Sequence, residues 1–144
     1  MAQIYNSFFL FFIISINLLL TSCKEKEPYP IPNVPVNIIL NLDLPSNQNL
    51  NVTGGWTYIS GGSKGIIVYR NFDEFIALDR HSTYDSGNNC AIVSVDSINY
   101  FLLNDSCSES QYNIQDGTVV KGPAKWGLKR YNSSWNGSTV QIFN

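Results

Sequence analysis

DSCSESQYNIQDGTVVKGPAKWGLKRY, residues 105–131, is the stretch on which the fold turns. Tyr112 to Ile114 reads as a short strand, Asp116-Gly117 as its turn and Thr118 to Val120 as a β-branched return strand, because Asp-Gly tolerates the positive φ that a tight hairpin demands. After the hairpin, Gly122-Pro123-Ala124 makes a rigid corner in which Pro123 has no backbone donor, and Leu128 to Tyr131 resumes an extended alternation. Ahead of it, Cys107 to Tyr112 is polar and loop-like.

Upstream, Val36 to Leu44 alternates, with Val36, Ile38, Leu40, Leu42 and Leu44 on one face of an expected strand. Pro45 to Asn49 reads as a loop. Trp56 to Ile59 is a short aromatic strand that Gly61-Gly62-Ser63-Lys64-Gly65 turns into Ile66 to Arg70, a near-continuous apolar run typical of a strand buried on both faces. Phe75 to Asp79 follows. Ala91 to Val95 and Ile98 to Leu103 flank Asp96-Ser97 as a further hairpin. Downstream, Asn136-Gly137 is a strong two-residue turn between Leu128 to Trp135 and Thr139 to Phe143. From Val36 onward no stretch has helical periodicity, so the fold class is all-β.

A polar loop, a hairpin closed by Asp116-Gly117, then Lys121-Gly122-Pro123-Ala124 and Leu128-Lys129-x-Tyr131, together resemble the second cluster-binding loop and proline loop of Rieske-type 2Fe-2S proteins. Glu74-Phe75-Ile76-Ala77-Leu78-Asp79-Arg80 resembles the strand that leads into the first ligand pair of that family. The resemblance spans about Val36 to Asn144. It implies Rieske-like layered antiparallel sheets with two loops at one tip.

A Rieske cluster takes two thiolates on one iron and two imidazoles on the other, one of each from each loop. The family pattern Cys-x-His falls on Ser82 and Tyr84, and Cys-x-x-His on Asp105 and Ser108. None of the four is a cysteine or histidine. A serine hydroxyl stays protonated near neutral pH and is a poor iron ligand. The resemblance therefore implies a Rieske-like domain with no cofactor expected, the alternative being a 2Fe-2S electron-transfer protein with unusual ligands. His81, one residue from the first thiolate position, is the only histidine. With Tyr84, Asp85 and Asp105 it could converge on a single metal, imidazole, phenolate and carboxylate all being plausible iron or zinc ligands; ordinary loop polarity is the alternative.

The resemblance also implies a disulfide between Cys90 and Cys107. Cys107 lies between the two former ligand positions of the second loop, where high-potential Rieske proteins carry a disulfide cysteine, and Cys90 ends the first loop. Two unpaired thiols are the competing reading.

Met1 to Ser22 stands apart from this domain. Phe8 to Leu20 is nearly all apolar yet too short for a comfortable membrane span, so it reads as the hydrophobic region of a signal peptide. Leu20-Thr21-Ser22-Cys23 resembles the bacterial lipobox, which implies cleavage before Cys23 and a lipid on its sulfur. The first seven residues carry no Lys or Arg, a departure from the export pattern. An uncleaved anchor is the alternative, and in either case the domain is tethered outside the cytosol. Lys24 to Glu27 then forms a charged, solvated tip. Pro28-Tyr29-Pro30-Ile31-Pro32-Asn33-Val34-Pro35 alternates proline in a way that favours an extended polyproline II spacer. The expected organisation is a lipoprotein signal peptide at 1–22, a lipidated Pro-rich tether at 23–35 and a Rieske-like domain at 36–144.

Charged residues make up only 14% of the chain and the net charge is -2, which argues against a nucleic-acid or strongly acidic partner. Lys121, Lys125, Lys129 and Arg130 form a basic strip that suits an anionic partner, a lipid headgroup or a solvated strand face. No Ser-His-Asp set, phosphate-binding glycine loop or paired carboxylates are present, so no catalytic residue is named. The expectation is a cell-envelope lipoprotein, lipid-anchored on a periplasmic or cell-surface face, that acts as a binding or structural module for another envelope protein. Enzyme activity, as an oxidoreductase component, would follow only if a cluster were bound.

Overall fold

The computed structural model describes residues 28–144. The expected signal peptide and the lipidation residue Cys23 lie outside the described residues. Ten strands follow in order: β1 (Asn37–Asn41), β2 (Trp56–Ile59), β3 (Ile66–Arg70), β4 (Phe75–Asp79), β5 (Val93–Val95), β6 (Leu102–Asp105), β7 (Gln111–Asn113), β8 (Val119–Lys121), β9 (Arg130–Trp135) and β10 (Thr139–Phe143). They form two antiparallel sheets, one ordered β1-β10-β9-β4-β3-β2 and the other β5-β6-β7-β8. The layered all-β arrangement expected from the sequence is therefore present. None of the described helices is long and apolar enough to cross a membrane.

The apolar runs of β3 and β4 explain the layering. Ile66 and Val68, with Phe75 and Ala77, point into one core shared with Leu50, Tyr131, Val140 and Ile142. Their neighbours Ile67 and Tyr69, with Ile76 and Leu78, point into a second core against Val93, Leu103 and Tyr112 of the smaller sheet and Ile114 just beyond β7. Alternation along a strand sends successive side chains to opposite faces, so only a strand packed on both sides can be apolar throughout. Each such side chain, fully buried, stabilises the fold by about 1.5–3 kcal/mol relative to exposure.

Three expectations need correction. β1 ends at Asn41, and Leu44 is half exposed at 50%, because the Asn41 side chain accepts a hydrogen bond from Asp43 N and turns the chain. The expected loop from Pro45 is a 3-10 helix, Pro45–Asn51, with proline in its first turn and Leu50 fully buried. The hairpin about Asp96-Ser97 is wider than expected. Asp96 Oδ1 accepts the amides of Ile98 and Asn99, and Ile98 is 91% exposed, so the return strand starts only at Leu102.

A fourth correction concerns the tether. Tyr29 to Val34 do not stand off as a spacer but lie along the domain. Tyr29 donates its hydroxyl to Gly127 O at 2.8 Å and meets Trp126 edge-on at 6.1 Å, while Ser86 Oγ donates to Pro30 O at 3.1 Å. Ile31 is buried, Lys129 Nζ donates to Asn33 Oδ1 at 2.7 Å, and Asn144 Nδ2 donates to Val34 O at 2.8 Å. Residues 29–34 thus pack against the domain that the sequence places from Val36.

Candidate functional site

Strands β4 and β6 deliver two loops to one end of the smaller sheet: residues 80–92 after β4, and 106–110 between β6 and β7. The first loop is set by Asp79, the last residue of β4 and fully buried. Its carboxylate accepts Ser63 N at 2.7 Å, Lys64 N at 3.3 Å, His81 N at 2.9 Å and the Tyr131 hydroxyl at 2.7 Å. A buried charge survives only when its oxygens are saturated in this way. Burial first, and then the bond to and charge of Asp79, push the Tyr131 phenol far above its usual 10.0. Tyr29 is raised similarly, chiefly by burial and then by the charges of Asp79 and Tyr112.

His81 is held at both ring nitrogens. Nε2 lies 2.7 Å from Ser86 O, and because a carbonyl only accepts, Nε2 carries a proton. Nδ1 lies 2.8 Å from Ser63 Oγ and, in the neutral ring, accepts from that hydroxyl. Neither nitrogen faces a vacant coordination position. Among the described residues no group of three or more His, Cys, Asp or Glu side chains is placed to hold a metal ion, so His81, Asp85 and Asp105 are not brought together as a ligand set.

The two loops are joined covalently. Cys90 and Cys107 form a disulfide with their Cα atoms 6.0 Å apart, bridging 17 residues of chain. The expected pairing is thus present. Beside it, Tyr84, Asp85, Asn88, Ala91, Cys107 and Ser108 line a small cleft of about 70 Å³.

Of the four positions that the Rieske resemblance assigns to cluster ligands, Tyr84 and Ser108 share this cleft, while Ser82 and Asp105 are buried. Each buried member has its own partners. Ser82 Oγ lies 3.0 Å from Tyr112 Oη, and Asp105 Oδ2 accepts the Ser108 hydroxyl at 2.6 Å while Oδ1 accepts Cys107 N at 3.0 Å. Ser110, fully buried, accepts the Ala124 amide at 3.1 Å and so fastens the proline corner to the second loop. Glu109 adopts a φ of +58° in the turn of the second loop. The donor set at the tip is hydroxyl, phenol and carboxylate, which does not match two thiolates and two imidazoles.

The basic strip is largely spoken for. Lys121 pairs with Glu109 at 3.7 Å, Arg130 with Glu74 at 3.1 Å, and Lys129 is bound to the tether. Trp135 packs edge-on against Phe75 at 5.8 Å, and the Arg70 guanidinium lies in the corner they form, 4.0 and 4.5 Å from the two ring centroids. The residues missed in the sequence reading are Asp79, Ser63 and Tyr112, whose side chains organise the first loop. One signal was available for Asp79: a lone acid closing an otherwise apolar five-residue strand calls for several donors around it.

No protein-family model matches the chain, and no curated protein matches it. Among solved structures it is similar to the ferredoxin of carbazole 1,9a-dioxygenase from Nocardioides aromaticivorans IC177, at 15% identity and a TM-score of 0.48, over 77% of this chain and 98% of that one. It is also similar to a chain of an oxygenase and ferredoxin complex of carbazole 1,9a-dioxygenase, at 13% identity and a TM-score of 0.49. That match covers 80% of this chain and 29% of the other.

Proposed function

We propose that this protein is a cell-envelope lipoprotein whose Rieske-like domain holds no 2Fe-2S cluster and serves as a binding or structural module. The observation that carries the reading is the Cys90–Cys107 bridge, which takes both tip sulfurs out of the pool of thiolates. The single histidine supports it, since a Rieske centre needs two and both ring nitrogens of His81 are engaged within the first loop. In this reading the covalent clamp supplies the cross-link between loops that a cluster supplies elsewhere. The lipid on Cys23 anchors the domain, and the exposed Tyr84 beside the bridge offers the tip to another envelope protein.

The test is iron and acid-labile sulfide analysis of protein purified from its native envelope, with both expected at background. Intact-mass measurement of the same sample is expected to find a lipid-modified Cys23, and a Cys23→Ser variant to leave the membrane fraction. Stoichiometric iron with sulfide would overturn the first part, and an unmodified Cys23 the second.

A further inference from the structure

The turn between β2 and β3, Ser60-Gly61-Gly62-Ser63-Lys64-Gly65, is fixed from below. Gly61, Gly62 and Gly65 have φ of +136°, +61° and +92°. Gly62 lies so close to Asp79 and Tyr131 that a Cβ would meet Oδ2 at 2.5 Å and the phenol oxygen at 2.6 Å. The Ser63 and Lys64 amides are held by the same carboxylate. A turn pinned at this many points is preorganised.

Arg80 stands beside this turn and is pinned as firmly. Its Nε donates to Val93 O at 3.1 Å, its backbone amide donates to Gly65 O at 2.8 Å, and its guanidinium carbon sits 4.0 Å over the Tyr58 ring. Among the described residues its two Nη groups have no hydrogen-bond partner, and neither Arg80 nor Lys64 has a carboxylate within ion-pair distance. Lys64 Nζ donates to two backbone carbonyls instead, Asn88 O at 2.6 Å and Ala91 O at 3.4 Å. The turn, Tyr58 and Arg80 line an open surface groove of about 510 Å³, and no acidic side chain lines it. The Asp79 oxygens are consumed beneath the turn by four donors.

We infer that this groove binds the oxyanion head group of a small ligand, a carboxylate or a phosphate, with Arg80 as the recognition fork. A guanidinium presents parallel N–H groups that match two oxygens of such a group, and here Nε and the ring face hold it in place before any ligand arrives. Little side-chain entropy is then lost on binding. Lys64 adds a second positive charge without an acid to neutralise it.

The test is an NMR titration of the full exported chain with sodium phosphate and, separately, sodium acetate, at constant ionic strength with sodium chloride as the control. Saturable shifts of the Arg80 Nε–H and of the Gly61, Gly62 and Gly65 amides are expected with at least one of the two, and the salt that saturates identifies the head group. Arg80→Lys, which keeps the charge and removes the fork, is expected to weaken binding about tenfold. Lys64→Gln leaves Arg80 in place and is expected to weaken it about threefold, through the loss of one nearby charge. Shifts with neither salt, equal shifts with chloride, or unchanged affinity in a folded variant of either kind would overturn the inference.

Discussion

The phenol oxygen of Tyr112 lies 3.0 Å from Oγ of Ser82, across 30 residues of sequence, and this contact seats the first loop on the second sheet. The donors can be assigned. Thr83 Oγ1 gives its proton to Trp126 O at 2.5 Å, since the carbonyl can only accept. Tyr112 therefore donates to Thr83 Oγ1 at 3.1 Å, and Ser82 donates to Tyr112. The result is a directed chain from Ser82, through Tyr112 of β7 and back to Thr83, that ends on Trp126 O just past the proline corner.

Removing the middle of that chain should be costly. Tyr112→Phe keeps the buried ring but takes the acceptor from the Ser82 hydroxyl and the Thr83 amide, so equilibrium denaturation is expected to show a loss of about 1–3 kcal/mol with an unchanged denaturant slope. A loss below about 0.5 kcal/mol would mean the network is incidental.

The disulfide should contribute comparably. It closes 17 residues of sequence separation, and loop-closure entropy for a loop of that size gives about 3 kcal/mol. The Cys90→Ser, Cys107→Ser double variant is expected to lose that amount. Alkylation of both Cys90 and Cys107 in the untreated protein, seen by non-reducing mass spectrometry, would contradict the bridge.

Alkaline pH should weaken the fold through Tyr131. A phenol whose folded pKa lies above its unfolded value near 10 favours the folded state fully below that pH and loses the contribution as pH rises toward the folded value. The melting temperature is therefore expected to fall as pH climbs past about 10. Tyr131→Phe starts less stable, having lost the Asp79 bond, and should show a shallower alkaline decline. An identical slope in both proteins would assign the alkaline loss to other groups.

The fastening of the N-terminal segment is open to a local test. Tyr29→Ala deletes the hydrogen bond to Gly127 O and the edge contact with Trp126, together worth about 1–2 kcal/mol. Amide exchange at residues 29–34 should accelerate and Trp126 emission shift to the red, with the sheets still protected. Unchanged exchange there would show that the contacts of Pro30, Ile31, Asn33 and Val34 hold the segment without Tyr29.

Much of the strand layout was legible because it was written in contrasts of side-chain chemistry. The runs Ile66 to Arg70 and Phe75 to Asp79 are bounded by glycine or by polar turn residues, and both strands match their expected limits. Thr139 to Phe143 follows Asn136-Gly137 and matches as well. The 3-10 helix escaped because seven residues are too few to show a helical period, and its stabilising bonds, such as Asn47 Nδ2 to Asn41 O, come from outside it. The tether escaped because proline spacing speaks for extension but not for docking. Tyr29, Ile31 and Val34, apolar residues interleaved among the prolines, were the available hint, since a solvated spacer has no need of them. At the tip, the sulfur bridge followed from the resemblance, whereas the buried Asp79 network did not, because its donors come from three separated segments.

The most direct measurement is the visible absorption spectrum of the protein purified without oxygen from iron-replete cells, paired with electron paramagnetic resonance after dithionite reduction. The account predicts a colourless protein with no visible charge-transfer bands and no signal from a reduced cluster. A brown protein whose bands bleach on reduction, with the resonance of a mixed-valence iron pair, would contradict it.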